Sequence, residues 1–249
     1  MSNADELQKI QLTKAIAIHQ RRRGHRTATD DVLCAWAGLL ARPSASRALD
    51  LGAGHGSVTL MLAGCLESLT RLDAIEFQTI SHALLVRNVA DNDFTSLIHT
   101  YCGDLREVQL QSGDAGYDLI TGSPPYMPLG SGVLPADPQR AGGRFELRGG
   151  VEDYLAAAAR WLSPDGVASI LMDGASRPRC LRAIKTAGLS LQHETVVYPR
   201  EGAAPRYRIY RCGRPANVSA ATTTALTVRD DEGRWTSGFE TVRAVLKLP

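Results

Sequence analysis

The chain has 249 residues, of which 44% are hydrophobic and 22% charged, with a formal net charge of +2. This balance excludes a disordered or fibrous chain and suits one large α/β domain with a short extension. The five cysteines, Cys34, Cys65, Cys102, Cys180 and Cys212, are odd in number and scattered, with no Cys-x-x-Cys pair. They argue against a disulfide framework or a zinc site and for a reducing compartment.

Residues 1–9 are polar and lack an apolar core of signal-peptide length, and no apolar run is long enough to span a bilayer. The expectation is a soluble cytoplasmic protein. Residues 1–46 read as a helical N-terminal extension with an Arg-rich turn. From 47 to 214, strand-like runs at 47–51, 71–76, 97–102, 117–121 and 167–172 alternate with helical patterns at 58–66, 80–91, 151–161 and 179–187. That alternation predicts a mostly parallel sheet with helices on both faces. Gly188 reads as a C-cap, and Ser163-Pro164-Asp165-Gly166 as a turn before the fifth strand. Two further strands, 189–197 and 206–212, predict a C-terminal antiparallel hairpin that completes a seven-stranded sheet. Residues 215–249 are expected as a tail packed on the core. The Gly/Pro-rich stretch 122–150 is an unusually long loop, and such loops are usually functional.

The run from Ala48 through Asp50, Gly52, Gly54 and Gly56 ends a strand and opens a helix, placing three glycines where backbone passes close to a ligand. A dinucleotide site would want glycine at position 57, which is Ser57, so nicotinamide and flavin chemistry are disfavoured. Asp50 suits a ligand carrying an ammonium and a sulfonium. Glu76 closes the next strand, where a carboxylate accepts from both hydroxyls of a ribose. Asp104, after the third strand, is placed to accept from an adenine amino group, with Leu105 or Phe77 packing on the ring. Three acids at the carboxyl ends of successive strands describe a site for S-adenosylmethionine.

The fourth strand runs into Ser123-Pro124-Pro125-Tyr126. Consecutive prolines make that loop rigid and extended. An exocyclic amine on a nucleobase is a poor nucleophile because its lone pair is delocalised into the ring. Accepting its hydrogen bonds at the Ser123 hydroxyl and the Pro124 carbonyl would draw it toward tetrahedral geometry, while Tyr126 stacks on the flat acceptor, a contact worth about 1–3 kcal/mol. The sulfonium leaving group is already activated, so in-line placement, worth roughly 7–11 kcal/mol, carries the reaction without a metal.

These motifs resemble the amino-methyltransferases whose signature is Asn/Asp/Ser-Pro-Pro-Tyr/Phe/Trp, and within them the bacterial tRNA1(Val) adenine N6-methyltransferases. The resemblance runs from 20–26 and 29–33 through the glycine motif and the Ser123 loop to 144–148 and a tail at 226–236. It implies the class I methyltransferase fold, S-adenosylmethionine as cofactor and tRNA as partner. By the same resemblance, Thr29 and Asp30 line the methionine end of the cofactor, Asp50 and Gly52 its amino-acid portion, Glu76 the ribose and Asp104 the adenine. The family usually has Asn where this chain has Ser123, and the Ser form is familiar among cytosine amino-methyltransferases.

Charge placement bears on the substrate. Only four of the basic residues are lysines, leaving 24 arginines, and arginine is the better bidentate phosphate ligand. Arg21, Arg22, Arg23 and Arg26 cluster before Thr29, Arg144 lies in the acceptor loop, and Arg206 and Arg208 sit in the hairpin. Together they read as a phosphate-binding rim for RNA. A glutamine methyltransferase of release factors, a small-molecule N-methyltransferase and a non-catalytic RNA-binding module stand as alternatives.

Overall fold

A computed structural model describes residues 6–110, 116–215 and 220–249. Residues 1–5 of the expected extension and 216–219 of the expected tail lie outside the described residues. The extension is helical only in α1 (Thr29–Ala41). Before it, β1 (Leu7–Gln11) and β2 (Ala17–Arg21) form an antiparallel hairpin with Leu7 opposite Arg21. The period-two burial of Ile16, Ile18 and Gln20 is a strand signal that the helical reading passed over.

The main sheet is built from β3 (Arg47–Leu51), β4 (Arg71–Glu76), β5 (Ile98–Cys102), β6 (Tyr117–Gly122), β7 (Leu162–Asp173), β8 (Ser190–Arg200), β9 (Tyr207–Gly213) and β10 (Thr222–Arg229). Its order is β10-β8-β9-β7-β6-β3-β4-β5, so it has eight strands among the described residues, not seven. Strands β3 to β7 are mutually parallel and β9 runs antiparallel to both β7 and β8, which is the expected hairpin. The eighth strand comes from the expected tail: β10 pairs parallel with β8. The Ser163–Gly166 turn signal is absorbed within β7, where the register jumps from Tyr117 opposite Leu162 to Leu119 opposite Val167.

The crossovers are α2 (Ser57–Cys65), α3 (Thr79–Asp91), the short α4 (Pro138–Arg144), α5 (Val151–Trp161) and α6 (Arg177–Thr186), with α7 (Ser237–Val245) after β10. One core joins Leu33 and Leu39 of α1, Leu60 and Leu62 of α2 and Phe239 and Val242 of α7. The other packs Tyr154 and Leu155 of α5 and Ile184 of α6 on Leu49, Ile120 and Ile170 of the sheet. Alternate strand residues thus feed opposite cores. Gly188, at φ +71°, ends α6 as the sequence implies.

The hairpin is bound to α3 by asparagine side chains. Asn88 Oδ1 accepts from His19 N at 2.7 Å and its Nδ2 donates to His19 O at 2.9 Å. Asn92 does the same for Ala17, at 3.2 and 2.8 Å. The outer edge of β2 therefore has its backbone polar groups satisfied at these positions.

Candidate active site

Strand register brings the site together. Leu51 stands opposite Ile75 and Gly122, and Glu76 opposite Cys102, so β3, β4, β5 and β6 deliver their following loops to one rim. A cavity of about 630 Å³ opens there, lined by Gly52, Gly54, Glu76, Phe77, Asp104, Leu105, Ser123 and Pro125 among the expected residues. A narrower one of about 50 Å³ shares Gly52, Gly54 and Ser123 with it and adds Asp30, Asp50, Pro124 and Tyr126.

Glu76 is 5% exposed, and its two oxygens accept from Gly54 N at 2.8 Å and Gln78 N at 2.7 Å. Both amides hold the carboxylate still, while burial pushes its pKa up. Asp50 is buried and accepts from Thr59 Oγ1 at 2.6 Å and Thr121 Oγ1 at 2.9 Å. Burial outweighs those donors and raises its pKa to about 6. Asp104 is forked by Arg106, with Nε to Oδ1 at 2.9 Å and Nη2 to Oδ2 at 2.6 Å, and the guanidinium holds its carboxyl below the usual range. The Arg148 guanidinium lies over the Phe77 ring, 4.5 Å from its centroid.

The glycines divide. Gly52 and Gly54 have φ of +68° and +59°, a region that disfavours side chains. A Cβ on Gly52 would collide with the Tyr154 hydroxyl, whereas the space at Gly54 is open. Gly56 lines neither cavity. A Cβ there would meet Leu85 Cδ1 at 2.8 Å, so its role is close packing of α2 on α3 rather than ligand contact.

Other expectations are corrected. Thr29 is the exposed first residue of α1 and lines neither cavity; Asp30 and Asp31 do. Tyr126 lines the narrow cavity half-buried. Its ring packs on the core and lies 5.9 Å from the Tyr207 ring, and its hydroxyl lies 2.8 Å from Ser123 Oγ and donates to Asp30 Oδ2 at 2.9 Å. The arginine rim loses two members. Arg21 is buried against Asp137, and Arg208 pairs with Glu194 at 2.5 Å. Arg22 faces Glu6 at 3.2 Å, while Arg23, Arg26, Arg144 and Arg206 are exposed.

Sequence reasoning missed His25, Asp31, Gln78 and Tyr154. His25 lines both cavities, and burial lowers its pKa ahead of the opposing pull of Asp30. Tyr154 arrives from α5 beside Gly52, its phenol pushed up by burial and by Glu76. An apolar helical face at Val151, Tyr154, Leu155 and Ala158 is legible in sequence, but the meeting of that hydroxyl with a loop a hundred residues away is not.

The donor set fits an adenosyl group with a charged amino-acid tail: bare backbone at Gly52 and Gly54, a braced carboxylate at Glu76, and further acids in the narrow end. Fold and site define the class, a Rossmann-like S-adenosylmethionine-dependent methyltransferase. No family model matches the chain. Curated relatives to which it is similar are named tRNA1(Val) (adenine(37)-N6)-methyltransferase. That of Actinobacillus pleuropneumoniae serotype 7 is 28% identical over 163 residues, 65% of this chain and 66% of its own. That of Pectobacterium carotovorum is 26% identical over 216 residues, covering 86% and 84%. Among solved structures, a predicted O-methyltransferase from Agrobacterium tumefaciens shares the fold with a TM-score of 0.65 at 17% identity, over 88% of this chain and 98% of that one.

Proposed function

We propose that the chain methylates the exocyclic N6 amine of an adenine in tRNA, working in the cytoplasm. The carrying observation is that Ser123 lines both cavities, at the junction between the adenosyl-sized space and the acid-lined narrow end. S-adenosylmethionine supplies an electrophilic methyl on a sulfonium. Glu76 holds the ribose hydroxyls, Asp104, Phe77 and Leu105 the adenine, and Asp30 and Asp50 the charged tail. The acceptor amine would give its hydrogen bonds to Ser123 Oγ and the Pro124 carbonyl, turning its lone pair toward the methyl carbon; as the N–C bond forms, the S–C pair would return to sulfur as the neutral thioether, and the amine's extra proton would pass to water. The curated relatives' name supports adenine in tRNA, and exposed Arg23, Arg26, Arg144 and Arg206 supply cations for a polyanion.

The test offers labelled S-adenosylmethionine with total tRNA, rRNA, DNA and a release factor in separate reactions, followed by nucleoside mass spectrometry. Label as N6-methyladenosine in tRNA is the expected result. Label confined to protein would assign the glutamine reading instead, and N4-methylcytidine would move the acceptor to cytosine.

A further inference from the structure

Three polar groups stand in line beside the acceptor position. Ser123 Oγ lies 2.8 Å from the Tyr126 hydroxyl, which lies 2.9 Å from Asp30 Oδ2, and all three residues line the narrow cavity. The Tyr126 ring is held by the core and by Tyr207, so its hydroxyl has a fixed place.

We propose that Asp30 and Tyr126 are positioning residues that lock the Ser123 hydroxyl as a hydrogen-bond acceptor toward the methyl-accepting amine. This rests on the reading of Ser123 given above. An ionised carboxylate has no proton to give, so the single Tyr126 proton points to Asp30. The Tyr126 oxygen must then accept, and the nearest donor is the Ser123 hydroxyl. Its only proton is spent there, which leaves Ser123 Oγ with lone pairs alone for the amine.

The residue type at 123 gives this line its purpose. An asparagine carbonyl, usual in the family that the loop resembles, presents lone pairs with no outside help. A serine hydroxyl rotates and can present its proton instead, which would repel an N–H donor. The groups within electrostatic reach of Asp30 are Asp31 and Cys34 on α1, His25 before it, Asp50 through its effect on Asp31, and Arg206 and Tyr207 at the head of β9. Of these, Arg206 carries a guanidinium cation.

A double-mutant comparison decides between orientation and mere support of the loop. Single-turnover methyl transfer is measured for Tyr126→Phe in the native chain and in a Ser123→Asn background, with thermal melting of each variant as the folding control. Tyr126→Phe should slow the native chain by about tenfold or more, the scale of one lost orienting hydrogen bond, but slow Ser123→Asn by no more than about twofold. Equal losses in both backgrounds would overturn the proposal.

A binding measurement covers the case in which Ser123→Asn is itself inactive. With S-adenosylhomocysteine filling the larger cavity, adenosine offers N–H donors at its six position and inosine a carbonyl. The native chain should prefer adenosine, and Tyr126→Phe and Asp30→Ala should each narrow that preference by about fivefold, since lone pairs no longer face the ligand by default. An unchanged ratio would overturn the proposal. Native enzyme that labels protein and no nucleic acid would remove the nucleobase reading instead, and the double-mutant comparison on that acceptor would still decide the role of the hydroxyl.

Discussion

Arg21 Nη1 lies 2.9 Å from Asp137 Oδ2, with the Arg21 side chain only 7% exposed, and this pair joins the N-terminal hairpin to the cap of α4. Gln139 Oε1 extends the link, accepting from Arg21 Nη1 at 3.3 Å and His25 N at 3.2 Å. The turn that reads as a phosphate rim thus anchors part of the cavity wall, through His25 and Pro138.

Breaking a buried ion pair by deleting one partner costs about 3–5 kcal/mol because a charge is left behind. Arg21→Ala is therefore expected to lower stability by roughly that amount and to weaken cofactor binding. Exposed Arg26→Ala should leave the melting temperature in place and weaken only RNA binding. Urea unfolding and titration with tRNA separate the two effects. A wild-type unfolding midpoint for Arg21→Ala would refute the anchoring role.

At Gly52, both backbone and space oppose a side chain. Gly52→Ala should destabilise by about 1–2 kcal/mol from the left-handed backbone alone, with more from the Tyr154 hydroxyl. Adding Tyr154→Phe should return the second part and not the first. Gly54→Ala carries the backbone strain without the clash. Both alanines should reduce S-adenosylmethionine affinity by calorimetry, as should Glu76→Ala; affinity unchanged in all three would place the cofactor elsewhere.

Two buried groups give opposed responses to acid. Burial pushes His55 down to about 3. Between that value and about 6.5 the unfolded chain binds a proton that the folded chain refuses, so this contribution to stability is present above about pH 6.5 and lost as pH falls. Asp50, raised to about 6, does the reverse: the folded chain holds the proton first, and the fold gains stability as pH drops through 6. Relative to the native chain, His55→Gln should gain about 2 kcal/mol between pH 7 and 5, and Asp50→Asn should lose its acid gain. Urea unfolding at the two pH values reads both. Cofactor affinity in the native chain should also fall over this range as the Asp50 anion is neutralised, and stay flat in Asp50→Asn.

Arg206, just before β9, and Arg208, within it, are two residues apart and differ in burden. Arg208 pairs with Glu194 and donates to Gly174 O at 3.1 Å, while Arg206 is exposed, with its guanidinium 5.3 Å from the Tyr207 ring centroid. Arg208→Ala should lower stability by about 1–3 kcal/mol, because Glu194 keeps only Arg177. Arg206→Ala should leave stability intact and reduce the salt slope of tRNA binding by about one. The same unfolding midpoint for both variants would contradict this division.

What the sequence by itself determined is local and periodic. Alternating apolar runs define the parallel strands and their crossover helices, and Gly52, Gly54, Glu76, Asp104 and Ser123 are legible because each ends or closely follows a strand, so chain order alone puts them at one rim. Tertiary structure decided everything that depends on a partner distant in sequence. Arg21 and Arg206 are both arginines beside Gly/Pro-rich or Arg-rich segments, yet only the first meets an aspartate, 116 positions further along the chain, and sinks. Tyr126 reads from composition as an aromatic ring alone, and only the fold brings its ring to Tyr207 and its hydroxyl to Asp30. The eighth strand formed because the edge of β8 was open to pairing, a condition set by the hairpin's place in the sheet and invisible in residues 222–229 themselves.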